Sequence, residues 1–146
     1  MTAVADVMTR GVRTMTPNDT VVVAAQAMDE LNVGVIPVCE GEKLVGMVTD
    51  RDIVVRGVAQ QRDPQATRLA DVMSSSVRTA HEDDDVDEVL SEMSRSQIRR
   101  LPVVDQNERL VGIISLGDIA AKDVDDEGDV AMSLGDISSP AEPDRS

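Results

Sequence analysis

Two short stretches hold the side chains best suited to do chemistry. GMVTDRDI at 46–53 returns as GIISLGDI at 112–119, so Thr49 and Asp52 in the first stretch correspond to Ser115 and Asp118 in the second. A hydroxyl three residues before an acid, where an apolar run gives way to a helix, has the form of a capping box, with Asp in place of the more usual Glu. The four unpaired N–H groups of each helix start need such partners. The same junction also suits an anionic ligand. Helix-start N–H groups and the helix dipole favour a phosphate, a hydroxyl can donate to it, and a carboxylate can accept both hydroxyls of a ribose diol.

Other chemistries lack their residues. Catalysis needs a nucleophile beside a base, or two carboxylates with separated pKa values, and neither arrangement is recognisable, nor is there a glycine-rich GK[ST] phosphate loop. The chain is therefore expected not to be an enzyme. His81 stands alone beside Glu82, Asp83, Asp84 and Asp85, a cluster that reads as an acidic helix start. With Cys39 as the single cysteine, no zinc set has the right spacing. Asp123, Asp125, Glu127 and Gly128 open like a calcium loop, but Leu134 stands where the bidentate Glu is required. No metal is expected.

Composition narrows the partners. The formal charge of −14 repels nucleic acid and anionic lipid, and the absence of Phe, Tyr and Trp removes the platforms on which single-stranded bases stack. Neither nucleic acid nor membrane is an expected partner. One cysteine permits no internal disulfide, and no apolar run has membrane-spanning length, so a reducing, cytoplasmic setting is expected. At 41% hydrophobic residues a core is available, built from Val, Ile, Leu, Ala and 8 Met.

The elements that position the two stretches are themselves duplicated. At an offset of 65, ADVM (5–8) aligns with ADVM (70–73), VRT (12–14) with VRT (77–79), Met28 with Met93 and IPV (36–38) with LPV (101–103). One extra residue near Asp105–Glu108 then brings LVG (44–46) onto LVG (110–112). Each copy reads as strand, helix, strand, strand, helix. Val12–Met15 is a predicted strand, Pro17-Asn18-Asp19-Thr20 a helix start, and Ala24, Met28 and Leu31 one apolar helix face. Ile36–Cys39 and Leu44–Thr49 form a hairpin around Glu40–Lys43. The second copy places Val86, Val89, Leu90 and Met93 on its helix face, with strands at Leu101–Val104 and Leu110–Ser115. The organisation expected is a repeat at 4–58, a polar linker at 59–68, a second repeat at 69–122, and an acidic segment at 123–146. That last segment would hold a short helix through Val130, Leu134 and Ile137 and a frayed Pro/Ser-rich tail.

ADVM, VRT, the helix with its Met, the I/L-P-V strand and G-h-h-[ST]-x-x-D-[IV], each present twice, resemble a tandem pair of CBS domains, or Bateman module. TDRDIVVRG in particular resembles stand-alone bacterial CBS-pair proteins, including the mycobacterial hypoxic-response type. The resemblance implies an α/β (α+β) fold of duplicated βαββα units packed about a pseudo-two-fold axis, with two clefts that take AMP, ADP, ATP, S-adenosylmethionine or related compounds. Carried over by position, Asp52 and Asp118 would hold ribose hydroxyls and Thr49 and Ser115 would meet phosphate. Val12, Thr14, Val77 and Thr79 in the first strands would face the adenine.

Where phosphate charge must be met the copies differ. Arg99 and Arg100 precede LPV, whereas Gly34 and Val35 precede the first copy's strand residues and Arg51 is the obvious cation at its loop. Arginine makes bidentate contacts to phosphate, so the Ser115/Asp118 site is expected to prefer the more charged ligand. The function expected is a regulatory module that binds an adenosyl nucleotide and acts in trans on an effector protein, most simply as a homodimer. The alternative is a non-catalytic dimeric scaffold without nucleotide.

Overall fold

The computed structural model describes residues 1–122. The expected calcium-like loop and the helix through Val130, Leu134 and Ile137 lie outside the described residues. The chain divides into two compact units whose described parts are Met1–Val12 with Arg78 onward, and Arg13–Val77.

In the Arg13–Val77 unit, helix α1 (Val21–Leu31) starts where Thr20 caps the Val23 N–H and ends at Asn32 in the left-handed conformation. Strands β1 (Val35–Glu40) and β2 (Lys43–Thr49) pair antiparallel, and Gly41, at φ +64°, makes the turn a side chain would strain. Helix α2 (Asp50–Asp52) continues as a π turn (Ile53–Gly57) and a 3-10 turn (Val58–Gln60), so the helix expected after the hairpin is present in irregular form. The core gathers Met15, Val21, Ala24, Met28, Ile36, Val38, Val48, Ile53, Leu69 and Val72. Leu31, expected beside Ala24 and Met28, is 43% exposed in the last turn, and Ala27 is buried in its place.

The other unit repeats the plan with β3 (Ala80–His81), α3 (Val86–Ser96), β4 (Arg100–Val104), β5 (Leu110–Ser115) and α4 (Leu116–Lys122). All four expected apolar positions of α3 are buried, against a core that includes Val4, Val7, Met8, Leu101, Val103, Ile114 and Ile119. With no aromatic side chain available, Met8, Met15, Met28, Met47 and Met93 fill buried space in the two units.

The first strands need correction. In the second copy a parallel ladder forms at Ala80–His81, one residue beyond Val77–Thr79, and Glu82 N–H extends it to Val104 O. In the first copy Val12–Met15 forms no ladder. Met15 alone bridges Val38, because the residue equivalent to Glu82 is Pro17, which has no N–H to give.

The compact units do not follow the sequence repeats. The Val4–Asp6 turn and Thr9, which lead the first repeat, pack in the unit of β5, where Thr9 and Ile113 exchange backbone hydrogen bonds of 2.8 and 3.0 Å. The Leu69–Asp71 turn and Ser74, which lead the second repeat, pack on β2, where Ser74 and Met47 exchange two bonds of 2.9 Å. Each leading segment thus closes the hairpin of the other repeat. Glycine in each LVG makes this possible: a Cβ on Gly112 would lie 2.6 Å from Thr9 O, and one on Gly46 2.6 Å from Ser74 O. The 59–68 stretch also joins a unit, since Pro64 O and Thr67 O accept the Val22 and Val21 N–H groups at the start of α1.

Candidate functional site: two duplicated strand-to-helix junctions

In the Arg13–Val77 unit, Thr49 ends β2 and caps α2. Its Oγ1 accepts the Asp52 N–H at 3.0 Å, and Asp52 Oδ2 accepts the Thr49 N–H at 3.0 Å. The reciprocal bonds expected from the spacing are present, and they hold a half-buried carboxylate at a fixed place. Asp50 N–H bonds Gly34 O at 3.0 Å, which ties the junction to the residue preceding β1. Val35 lies opposite Thr49 in the ladder. The exposed Arg51 follows within α2, and Arg56 donates instead to Val72 O and Met73 O at 3.3 and 3.1 Å.

The β5–α4 junction has the same frame with different side chains. Ser115 Oγ accepts the Asp118 N–H at 3.0 Å, and Asp118 Oδ2 accepts the Ser115 N–H at 3.1 Å. Leu116 N–H bonds Arg99 O at 3.0 Å, and Arg100 lies directly opposite Ser115. The register therefore sets the half-buried Arg100 opposite Ser115 and the half-buried Arg99 at the start of α4, where the first copy has Val35 and Gly34.

One participant escaped the sequence reading. Thr9 Oγ1 donates to Asp118 Oδ1 at 3.1 Å, reached through the Thr9–Ile113 bridge. Ser74 occupies the equivalent backbone position beside Met47, yet Asp52 Oδ1 accepts no hydrogen bond among the described residues. A signal was present, since ADVM is followed by a hydroxyl residue in both copies.

Val12 and Thr79 belong to the unit of Ser115 and Asp118, and Thr14 and Val77 to that of Thr49 and Asp52. All four lie in segments outside the ladders, and none is hydrogen-bonded to either junction among the described residues.

Among the described residues no three His, Cys, Asp or Glu side chains converge as a metal site. Burial raises the pKa of the Cys39 thiol, which keeps it protonated. No described helix is long and apolar enough to cross a membrane.

Comparison with known proteins fits this geometry. The CBS domain family matches residues 4–57 and 69–125. The CBS domain-containing protein YhcV of Bacillus subtilis is 46% identical over 127 residues, covering 87% of this chain and 89% of that protein. Hypoxic response protein 1 of Mycobacterium tuberculosis is 37% identical over 121 residues, 82% of this chain and 84% of that one. The crystal structure of Hypoxic Response Protein I with two coordinated zinc ions superposes with a TM-score of 0.75 at 36% identity, covering 84% of this chain and 99% of that chain. The CBS domain pair of protein MJ0100, in complex with methylthioadenosine and S-adenosyl-L-methionine, gives a TM-score of 0.72 at 33% identity, covering 87% and 99%. With both repeats matched and an α+β fold common to these structures, the chain belongs to the CBS-domain family as a tandem pair.

Proposed function

We propose that this CBS pair is a regulatory module that binds adenosyl nucleotides at its two duplicated junctions and acts in trans on an effector protein. The observation that carries this reading is the carboxylate held at each strand-to-helix junction by reciprocal bonds, Asp52 to Thr49 and Asp118 to Ser115. A fixed carboxylate can receive a ribose diol without first losing side-chain entropy. The two ligands of the MJ0100 pair share an adenosyl ribose, which supports the ribose assignment.

Thr49 and Ser115 meet the ligand's phosphate, and Val12, Thr14, Val77 and Thr79 contact adenine. Arg99 and Arg100 favour AMP, ADP or ATP at the Ser115/Asp118 site, while the Thr49/Asp52 site, with Arg51 as its cation, favours the less charged S-adenosylmethionine class. Occupancy shifts the module, working as a homodimer in the cytoplasm, towards the arrangement that binds ligand better.

Titration calorimetry with AMP, ATP and S-adenosylmethionine tests the reading on the parent protein and on Asp52→Asn and Asp118→Asn. Asn retains a capping oxygen but carries no charge, so each change should weaken binding at its own junction by about tenfold or more. Undiminished binding in both variants would refute the ribose role.

A further inference from the structure

We infer that Thr9 is a specificity-determining residue that makes the two junctions unequal towards a ribose diol; this rests on the adenosyl-binding reading and deepens it. A carboxylate offers two acceptor directions on each oxygen. In Asp118, Oδ2 already takes the Ser115 N–H and Oδ1 the Thr9 hydroxyl, which leaves one direction on each. In Asp52, Oδ2 takes the Thr49 N–H while Oδ1 accepts nothing among the described residues. A diol therefore finds an open oxygen at Asp52. At Asp118 it must share Oδ1 with Thr9 or turn the hydroxyl away.

The inequality follows from one methyl group. Thr9 and Ser74 sit on matching backbone bridges, to Ile113 and Met47, so the main chain presents both hydroxyls alike. Threonine is β-branched and stiff at χ1, which holds the Thr9 oxygen against Asp118, whereas the unbranched Ser74 gives no hydrogen bond to Asp52 among the described residues. The second junction thus combines two arginines with a partly engaged carboxylate and selects for phosphate over ribose. The first combines an open carboxylate with little positive charge and selects for the ribose.

The test compares AMP with its 2′,3′-dideoxy analogue, which lacks the diol, by titration calorimetry in an Asp52→Asn background that leaves Asp118 as the intact ribose site. Thr9→Val removes the hydroxyl and keeps the shape and the backbone bridge, and a thermal melt confirms that it folds. It should raise the AMP-to-dideoxy affinity ratio by about tenfold, the scale of one hydrogen bond to a charged group. Thr9→Ser, which removes the branching methyl and gives position 9 the residue found at position 74, should raise the ratio in the same direction. If AMP still binds and Thr9→Val leaves the ratio unchanged, the role of Thr9 is overturned while adenosyl binding stands. If AMP, ATP and S-adenosylmethionine bind neither the parent nor any variant, the adenosyl-binding reading itself falls and takes this inference with it.

Discussion

Arg100 faces Ser115 across the β4–β5 ladder, while its counterpart Val35 faces Thr49 across β1–β2. Register places each residue beside the hydroxyl that caps the following helix, so one change of residue type alters the charge of the whole junction. Under the proposed function, the stronger phosphate affinity is expected at the Ser115/Asp118 junction.

The first prediction follows from that asymmetry. Replacing Arg99 and Arg100 by Ala should weaken ATP binding by about tenfold per lost charged hydrogen bond. Methylthioadenosine, which has no phosphate, should be affected by no more than about threefold. Competition binding of the two ligands measures the difference, and an equal loss for both would show that the arginines support the fold and not the phosphate.

Close backbone approach at Gly46 and Gly112 sets a second expectation. Ala at Gly112 would push a Cβ to 2.6 Å from Thr9 O, and Ala at Gly46 would do the same to Ser74 O. Each should cost about 1–3 kcal/mol, as overpacking does. Gly57 has nothing within 4 Å of a Cβ, so Gly57→Ala should stay within about 0.5 kcal/mol of the parent. Urea denaturation of the three variants gives the comparison. Similar stability for all three would contradict the placement of the leading segments on β2 and β5.

Asp105 yields a pH dependence. Its carboxylate accepts the Arg109 and Asn107 N–H groups at 3.0 and 2.8 Å and meets Arg109 Nε at 3.2 Å, and the Arg109 and Asn107 backbone bonds with the Arg109 charge hold its pKa below the ordinary value. A depressed folded pKa contributes stability that is present above the unfolded value of about 3.9 and is lost as pH falls through the folded value. Asp105→Asn should therefore lower stability at neutral pH and lose that deficit in acid. Urea midpoints from pH 6 down to pH 3 follow it; a deficit constant across the range would rule out the charged bonds as its source.

Cys39 is 3% exposed in β1, and burial raises its pKa. Since the thiolate is the reactive form, a disulfide reagent at pH 8 should modify the native protein far more slowly than the urea-unfolded chain. Equal rates would mean that β1 opens readily.

Much of this was legible because the signals are local. Helix faces such as Val86, Val89, Leu90 and Met93 show in apolar spacing, and the hairpins show in β-branched runs flanking a turn. The capping boxes showed in a three-residue spacing that fixes its own geometry. What stayed hidden depends on distant partners. Nothing in ADVM itself says which hairpin it packs on, so the exchange of leading segments was invisible, and the repeated hydroxyl after ADVM did not name Asp118 as the partner of Thr9. Leu31 misled because helical spacing assigns a face without saying where the neighbouring sheet ends. The missing first ladder turned on one absent N–H at Pro17, a signal that was read as a helix start.

Adenosyl binding is tested most directly by thermal melts followed by circular dichroism, since the chain has no aromatic residue to report by fluorescence. The protein would be melted alone and with saturating AMP, ATP, methylthioadenosine or S-adenosylmethionine. A ligand that binds only the folded state adds about 2.7 kcal/mol at a hundredfold excess over its Kd, a rise in Tm of several degrees. The account predicts such a rise with at least one of the four, lost in the Asp52→Asn/Asp118→Asn double variant. An unchanged Tm with all four would contradict it and leave a CBS pair that works as an interaction scaffold.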